Sequence, residues 1–162
     1  MMKYMRYWSI LLIFVMVGFV GKISADERFI SPGIKFGYTF GENGGITIGA
    51  EVSYIIWYKH AANAVVLNFD ICGNEDKLQF TKLHLGYQVS SVVGIEAGPT
   101  IIWKDGVTSY GMSITPFAGF IVPYAYYSHT VAFNKKHEIN EAGILLKLPM
   151  EVPGHEFSIG FN

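Results

Sequence analysis

The sequence predicts an all-β protein, a single closed antiparallel up-and-down barrel of about eight strands that follows an N-terminal signal peptide. Three observations predict this fold. Apolar and small polar residues alternate with a period of two over most of the chain, which is typical of strands with two different faces. Glycine and aromatic residues are frequent, with 18 glycines and 15% aromatic residues. Only 15% of the residues are charged, against about 25% in a typical soluble domain.

The clearest alternation lies in a hairpin over residues 93–122, whose arms meet at a turn formed by Lys104-Asp105-Gly106. One face of both arms is apolar, and the other is mostly glycine, serine and threonine with Glu96 in its middle. A soluble barrel that turned the apolar face inward would need many charged residues on the other face. Small residues instead suit the narrow interior of a membrane barrel whose apolar face meets lipid.

The N-terminal residues 1–25 read as a secretory signal peptide, and residues 26–162 as the barrel domain. Lys3 and Arg6 precede an apolar run over residues 8–20, and Ser24-Ala25 provides a small-residue cleavage site. The apolar run of about 13 residues is shorter than the ~18–20 that a membrane-spanning helix needs. We therefore expect the segment to be removed rather than retained as an anchor.

The other strands are predicted at residues 34–40, 46–58, 62–72, 78–89, 138–150 and 156–162, with strand six running from 107 to 122 and extending to 127. Residues 128–136 are predicted to be a loop. Strand one is expected to pair with strand eight, so that the barrel has no free edge. Pro99, Pro116 and Pro123 cannot donate to a ladder, so bulges or strand ends are expected there.

Charged residues collect on the face opposite the apolar one and would lie in the lumen, where a lone buried charge is costly. They are Lys35, Glu51, Asp70, Lys82, His84, Glu96, Glu141 and Lys147. The pairing requirement favours a packed interior of salt bridges and hydrogen bonds. The alternative is a functional polar cluster, such as a narrow ion path or a ligand site.

The apolar face predicts lipid contacts and aromatic girdles. The residues predicted to face lipid are Ile48, Val52, Ile101, Ile114 and Phe120. Aromatic residues near predicted strand ends, which suit the two membrane interfaces, are Tyr38, Tyr54, Trp103, Tyr124 and Tyr126.

The signal peptide, the alternating strands and the terminal Phe157-Ser-Ile-Gly-Phe161 resemble the small eight-stranded outer-membrane barrels of Gram-negative bacteria. The resemblance covers nearly the whole mature chain, but only as architecture. It implies a monomer in contact with outer-membrane lipid that is inserted by the barrel-assembly machinery through its C-terminal strand. Two departures stand out: Phe161 is followed by Asn162, and all connections are short.

Signals for catalysis or cofactors are weak. Some barrels of this size modify lipid A, for which Ser128, His129 and Glu138 would be the candidates, but neighbouring strand residues point to opposite faces. Cys72 is the single cysteine, and no histidine pair on one strand has metal-ligand spacing. The net charge of −1 gives no indication of nucleic-acid binding.

The sequence thus predicts an outer-membrane barrel with a packed polar lumen, no evident catalysis and no cofactor. Its role is structural or undefined. The main alternative is a secreted or periplasmic lipocalin-like barrel that binds an apolar ligand inside. A lipid A-modifying barrel enzyme is the third.

Overall fold

A computed structural model describes residues 27–41, 44–58, 61–74, 77–119, 122–133 and 138–152 of the chain. These residues form nine strands. The strands are β1 (Glu27–Phe40), β2 (Gly45–Tyr58), β3 (Ala61–Gly73), β4 (Leu78–Ser90), β5 (Val93–Lys104), β6 (Val107–Gly119), β7 (Pro123–Ala132), β8 (Glu138–Lys147) and the short β9 (Met150–Glu151). In the described part of the chain, no helix is long and apolar enough to cross a membrane.

The first eight strands close into an antiparallel barrel, which confirms the predicted fold class. Each strand pairs with the next along the chain, and β1 pairs with both β2 and β8. The short β9 adds to β1 beside Phe29 and Ile30. Because the sheet closes, every barrel strand pairs with a neighbouring strand on both sides, and β1 to β8 present no open edge.

The register of the strands sets how strongly they tilt. Following the paired residues from Ile30 through all eight strands returns to β1 at Phe40, ten residues further along. Ten residues at about 3.3 Å each, set against eight strands about 4.8 Å apart, give a tilt of about 40° to the barrel axis, within the usual range for closed barrels. A barrel of this size has an interior that side chains can fill.

Two strand predictions are corrected at the N-terminal end of the barrel and around β7. β1 begins at Glu27, seven residues before the predicted start of the first strand at residue 34. Pro32 has no N–H to donate, and β1 tolerates it because the pairing with β8 begins only at the next residue, Gly33. The predicted sixth strand is in fact two strands, since β6 ends at Gly119 and β7 starts at Pro123. The predicted loop is therefore wrong for residues 128–132, which belong to β7.

The strand that closes the barrel also differs from the prediction. β1 pairs along residues 33–40 with β8, which corresponds to the predicted seventh strand. The predicted eighth strand at 156–162, including Phe161, and the predicted signal peptide lie outside the described residues. The barrel still has eight strands, because residues 123–132 form β7, which was not predicted as a separate strand.

The prolines interrupt ladders without shifting the register. The pairing of β4 with β5 lapses beside Pro99, and that of β6 with β7 lapses beside Pro116. The register is the same on both sides of each gap, so neither proline makes a bulge. Pro123 begins β7, as expected of a residue that cannot donate a hydrogen bond. The predicted turn at Lys104-Asp105-Gly106 is confirmed, with positive φ at Asp105 (49°) and Gly106 (73°), as in a type I′ hairpin.

The barrel is apolar outside and polar inside. Among the described residues, 31 large hydrophobic side chains are exposed, whereas the buried set holds 21 polar or charged residues and only 10 hydrophobic ones. This arrangement is opposite to that of a lipocalin-like barrel, which would hold its apolar face inside. The polar and charged side chains that could form a functional site therefore lie inside the barrel.

Candidate functional site

All eight charged residues predicted for the polar face lie inside the barrel, and each is at most 4% exposed. They come from six strands: Lys35 on β1, Glu51 on β2, Asp70 on β3, Lys82 and His84 on β4, Glu96 on β5, and Glu141 and Lys147 on β8. The alternation of each strand directs them inward. The structure brings them together in three groups.

The first group is a closed ring of four ion pairs across the lumen. Lys35 Nζ lies 2.9 Å from Asp70 Oδ2 and 3.5 Å from Glu141 Oε1. Lys82 Nζ lies 3.1 Å from Asp70 Oδ2 and 2.8 Å from Glu141 Oε2. Each charge therefore has two opposite neighbours, and the ring is neutral as a whole. We call these four residues the ion-pair ring.

Tyr126 completes the ion-pair ring from β7. Its hydroxyl donates a hydrogen bond of 2.5 Å to Glu141 Oε1, and Lys35 Nζ lies 4.7 Å from the centre of its aromatic ring. The hydroxyl fits because two glycines face it. A Cβ at Gly37 would lie 2.5 Å from this oxygen, and one at Gly143 would lie 2.8 Å away.

The second group surrounds Lys147, closer to the end of the barrel where β1 begins. Lys147 pairs with Glu51 and donates to Ser53 Oγ and Gln88 Oε1, both at 3.1 Å. Glu51 also accepts hydrogen bonds from Ser53 at 2.7 Å and Asn68 at 3.2 Å. Both carboxylate oxygens of Glu51 are thus paired, as a buried carboxylate requires.

The third group joins His84 to Glu96 and to a chain of hydroxyl groups. His84 Nε2 and Glu96 Oε1 are 2.8 Å apart. His84 Nδ1 lies 2.9 Å from Thr100 Oγ1. From Thr100, hydrogen bonds of 2.6 Å lead to Ser113 and then to Thr130.

The two ends of the lumen differ. Towards the turn between β5 and β6, the lumen is filled by an apolar plug of Cys72, Phe80, Ile102, Ala132 and Ile139, all buried. On the other side of the ion-pair ring lies a cavity of about 20 Å³, about the space that one water molecule needs. Its walls include Glu51, Glu96, Tyr124 and Lys147.

The charged residues of the lumen are in contact with oppositely charged or polar partners. No three His, Cys, Asp or Glu side chains among the described residues group as metal ligands would. Ser128 is buried and accepts a hydrogen bond from Thr115 at 2.9 Å, whereas His129 is half-buried on the outer face. Glu138 is exposed and pairs in register with Val131. Ser128 and His129 thus lie on opposite sides of the wall.

The residues predicted to face lipid lie on the outer face wherever they are described. Ile48, Val52 and Ile114 are about half exposed and Ile101 is half-buried. Phe120 lies outside the described residues. Together with the other exposed apolar side chains they form an outer band.

The aromatic predictions divide into two sets. Tyr38, Tyr54 and Trp103 are exposed on the outer face. Tyr124 and Tyr126 are corrected, because they point into the lumen: Tyr126 is only 6% exposed, and the Tyr124 ring lies 5.6 Å from Lys147 Nζ. Odd-numbered residues face inward on β6 and even-numbered residues face inward on β7, so the phase read from β6 does not apply to β7.

Several interior residues were not singled out from the sequence. They are Ser53, Asn68, Gln88 and Thr100, which contact the charged groups, and Ser113 and Thr130, which continue the chain of hydroxyl groups. Apart from Thr130, which lay in the predicted loop, their place in the period of two put them on the polar face. The partner of each could not be read from the sequence, since pairing across the lumen depends on the register.

No protein-family model matches the chain, and no curated protein matches it. Among solved structures, it is similar to a protein described as "De novo design of transmembrane beta-barrels", with 10% sequence identity and a TM-score of 0.43. The similarity covers 78% of this chain and 99% of that chain.

Proposed function

We propose that the protein is an outer-membrane β-barrel of a Gram-negative bacterium, with a closed polar lumen and a structural role rather than a catalytic one. The observation that carries this proposal is the inverted distribution of side chains, with charged residues inside and large apolar residues outside. A monomer in water rarely exposes a continuous apolar surface larger than a few hundred Å². In lipid the same surface is the favoured one.

The dimensions of the wall support a membrane location. The strands β2 to β6 contain 12 to 14 residues each. At about 3.3 Å per residue and a tilt of about 40°, such strands rise about 30–35 Å along the barrel axis. The apolar band of a membrane barrel is about 25 Å tall, so the strands are long enough to cross it and reach both interfaces.

The contents of the lumen support a closed barrel rather than a pore. The ion-pair ring spans the interior with four mutually paired charges, and the apolar plug fills the lumen on one side of it. An ion would have to break buried pairs to pass the ring, which is costly. We therefore propose that the lumen does not conduct.

The architecture and the predicted signal peptide support the proposed location in the outer membrane and the proposed insertion by the barrel-assembly machinery. Closed antiparallel barrels with an even number of strands are typical of bacterial outer membranes. The lipid of that membrane is the proposed partner of the outer band. The C-terminal strand predicted around Phe161 is the proposed signal for the assembly machinery.

The first experiment is to fractionate cells and compare the mobility of the protein in SDS with and without boiling. We expect the protein in the outer-membrane fraction, with an unboiled band that migrates faster than the boiled one. A protein in the soluble periplasmic fraction with no heat shift would overturn the proposal.

Cysteine variants then test which face meets lipid. Ile48→Cys and Val52→Cys should react with a lipid-soluble thiol reagent, whereas the neighbouring inward positions Thr47→Cys and Ser53→Cys should not. Reaction of the inward pair alone would contradict the proposal. Purified protein in planar lipid bilayers should show no steady conductance, and regular channel openings would overturn the closed lumen.

A further inference from the structure

A polar cluster stands on the outer face of the barrel wall, where β7 and β8 meet. The hydroxyl of Tyr127 donates to Asn140 Oδ1 at 2.8 Å, and His129 Nδ1 lies 2.8 Å from the same oxygen. Because an amide oxygen can only accept, His129 Nδ1 is a donor and, in a neutral imidazole, Nε2 is left as an acceptor. We call Tyr127, His129 and Asn140 the outer cluster.

The outer cluster lies within the apolar band and not beyond it. Along β7, exposed Ala125 lies on one side of it, and exposed Val131 and Phe133 lie on the other. Its neighbours on adjacent strands are Ile114, which pairs with His129, and Phe40, which pairs with Asn140. Polar side chains at such a depth are costly in lipid and usually mark a functional contact.

Each member of the outer cluster has hydrogen-bonding capacity that no described residue uses. The two lone pairs of Asn140 Oδ1 are occupied, but its Nδ2 amide has two hydrogens to donate. Tyr127 Oη and His129 Nε2 can each accept a hydrogen bond. Lipid tails offer neither donors nor acceptors, so a contact that satisfies these groups inside the membrane must be polar.

Beside the outer cluster, towards the start of β7, several outward side chains are small. Pro116, Ala118, Ala125 and Ala142 are outward residues of β6, β7 and β8 in this region. Elsewhere the outer band carries mainly isoleucine, leucine, valine and aromatic residues. Small residues let two membrane-embedded walls approach closely, so this part of the barrel has the shape for contact with another protein.

We propose that the outer cluster binds a second copy of this chain within the membrane and forms a twofold dimer. A twofold interface brings the same surface of both copies together, so it needs donors and acceptors on one patch. The outer cluster meets this requirement, because the Asn140 amide of each copy can donate to Tyr127 Oη or His129 Nε2 of the other. The proposal rests on the proposed membrane location, and it replaces the monomer expected from the sequence.

Disulfide crosslinking in isolated outer membranes tests the dimer. Ala142→Cys places a thiol beside Tyr127, its paired residue on β7. The matched control is Ala50→Cys, an outward alanine of β2, two strands away from β8. Cys72 is buried in the lumen, so the unmodified protein should not crosslink. On oxidation with copper phenanthroline, we expect a disulfide-linked dimer from Ala142→Cys and little or none from Ala50→Cys.

A second variant asks whether the polar groups hold the dimer. Adding Asn140→Leu to Ala142→Cys removes the amide from both copies. We expect association about tenfold weaker, the change that two membrane hydrogen bonds would produce, and a correspondingly smaller crosslinked fraction. Heat-shifted mobility of the variant shows that it still folds. Adding Ile144→Ala instead, an apolar change on the same strand, should leave most of the crosslink in place.

The outcomes separate this proposal from the membrane proposal. Equal crosslinking at both positions, or none at Ala142→Cys in a membrane-bound and heat-shifted protein, would overturn the dimer alone. A monomer that retains a lipid in native mass spectrometry, and loses it with Asn140→Leu, would identify a lipid headgroup as the ligand and also overturn the dimer. A soluble protein without a heat shift would overturn both proposals.

Discussion

Gly37 lies directly against the hydroxyl group of Tyr126, so that a Cβ on Gly37 would come within 2.5 Å of the tyrosine oxygen. This oxygen donates to Glu141, a member of the ion-pair ring. A glycine on β1 therefore makes the space in which a tyrosine from β7 supports a carboxylate of β8. The absence of a side chain at Gly37 is part of what allows the polar lumen to pack.

Gly37→Ala should destabilise the barrel by about 1–3 kcal/mol, as overpacking of a filled interior does. Tyr126→Phe in the same chain should restore part of the loss, because it removes the closest atom; the Ala142 carbonyl at 2.9 Å remains close. Gly73→Ala is the control, since its nearest atom would be 3.3 Å away. Urea unfolding in lipid vesicles, followed by the heat-shifted band, measures each variant. Equal loss from both glycine variants would contradict the packing argument.

The ion-pair ring predicts that charge balance matters more than any single charge. Glu141→Gln leaves Lys35 and Lys82 facing Asp70 alone, and breaking a buried pair in this way should cost about 3–5 kcal/mol. Lys82→Met combined with Glu141→Gln removes one charge of each sign and leaves the Lys35–Asp70 pair at 2.9 Å. We expect the double variant to be more stable than Glu141→Gln in urea unfolding. A double variant less stable than the single one would show that the four charges do not act as a balanced ring.

The fold class and the inward face of most strands could be predicted from the sequence, because the alternation of apolar and polar residues depends only on neighbouring residues in the chain. It placed Lys35, Asp70 and Lys82 on one face, and all three are buried in the lumen. It could not pair Lys82 with Glu141, which stand on strands that are not neighbours in the sheet. That contact depends on the ten-residue offset of the closed barrel, which is a property of the whole sheet.

The error at β7 has a local cause. Alternating apolar residues continue from Ile114 through Tyr124 and Tyr126 in the sequence, and they read as one long strand. Gly119 ends β6, and the chain turns before Pro123. After a turn the inward positions are set by its length and geometry, so the phase of β6 does not carry over. Two tyrosines assigned to a girdle consequently lie inside the barrel.

The apolar plug predicts that Cys72 is shielded by Phe80, with which it is buried. Cys72 should not react with maleimide in the folded barrel and should react after unfolding in urea. Phe80→Ala should cost about 3–5 kcal/mol through the cavity it leaves and should make Cys72 reactive in the folded state. Phe69→Ala, at an exposed phenylalanine of β3, is the matched control and should leave Cys72 protected. Rapid labelling of folded wild-type protein would show that the plug does not close that end.

The outer band predicts a depth-dependent cost for a charge. Ile48 lies well inside β2, whereas Leu78 is the first residue of β4, and both are exposed on the outside. In a membrane, Ile48→Arg should cost about 2–4 kcal/mol and Leu78→Arg about 0–1 kcal/mol, because arginine near the interface can reach water. Urea unfolding in lipid vesicles measures both.

The comparison of these two arginine variants also distinguishes lipid from water as the solvent of the outer face. In water both arginines would be hydrated equally well, so neither variant would lose much stability. A large loss at Ile48 with little loss at Leu78 therefore requires an apolar solvent around the middle of the barrel wall. Equal and small effects would mean that the exposed isoleucines, leucines and valines do not contact lipid, and would contradict the proposed location.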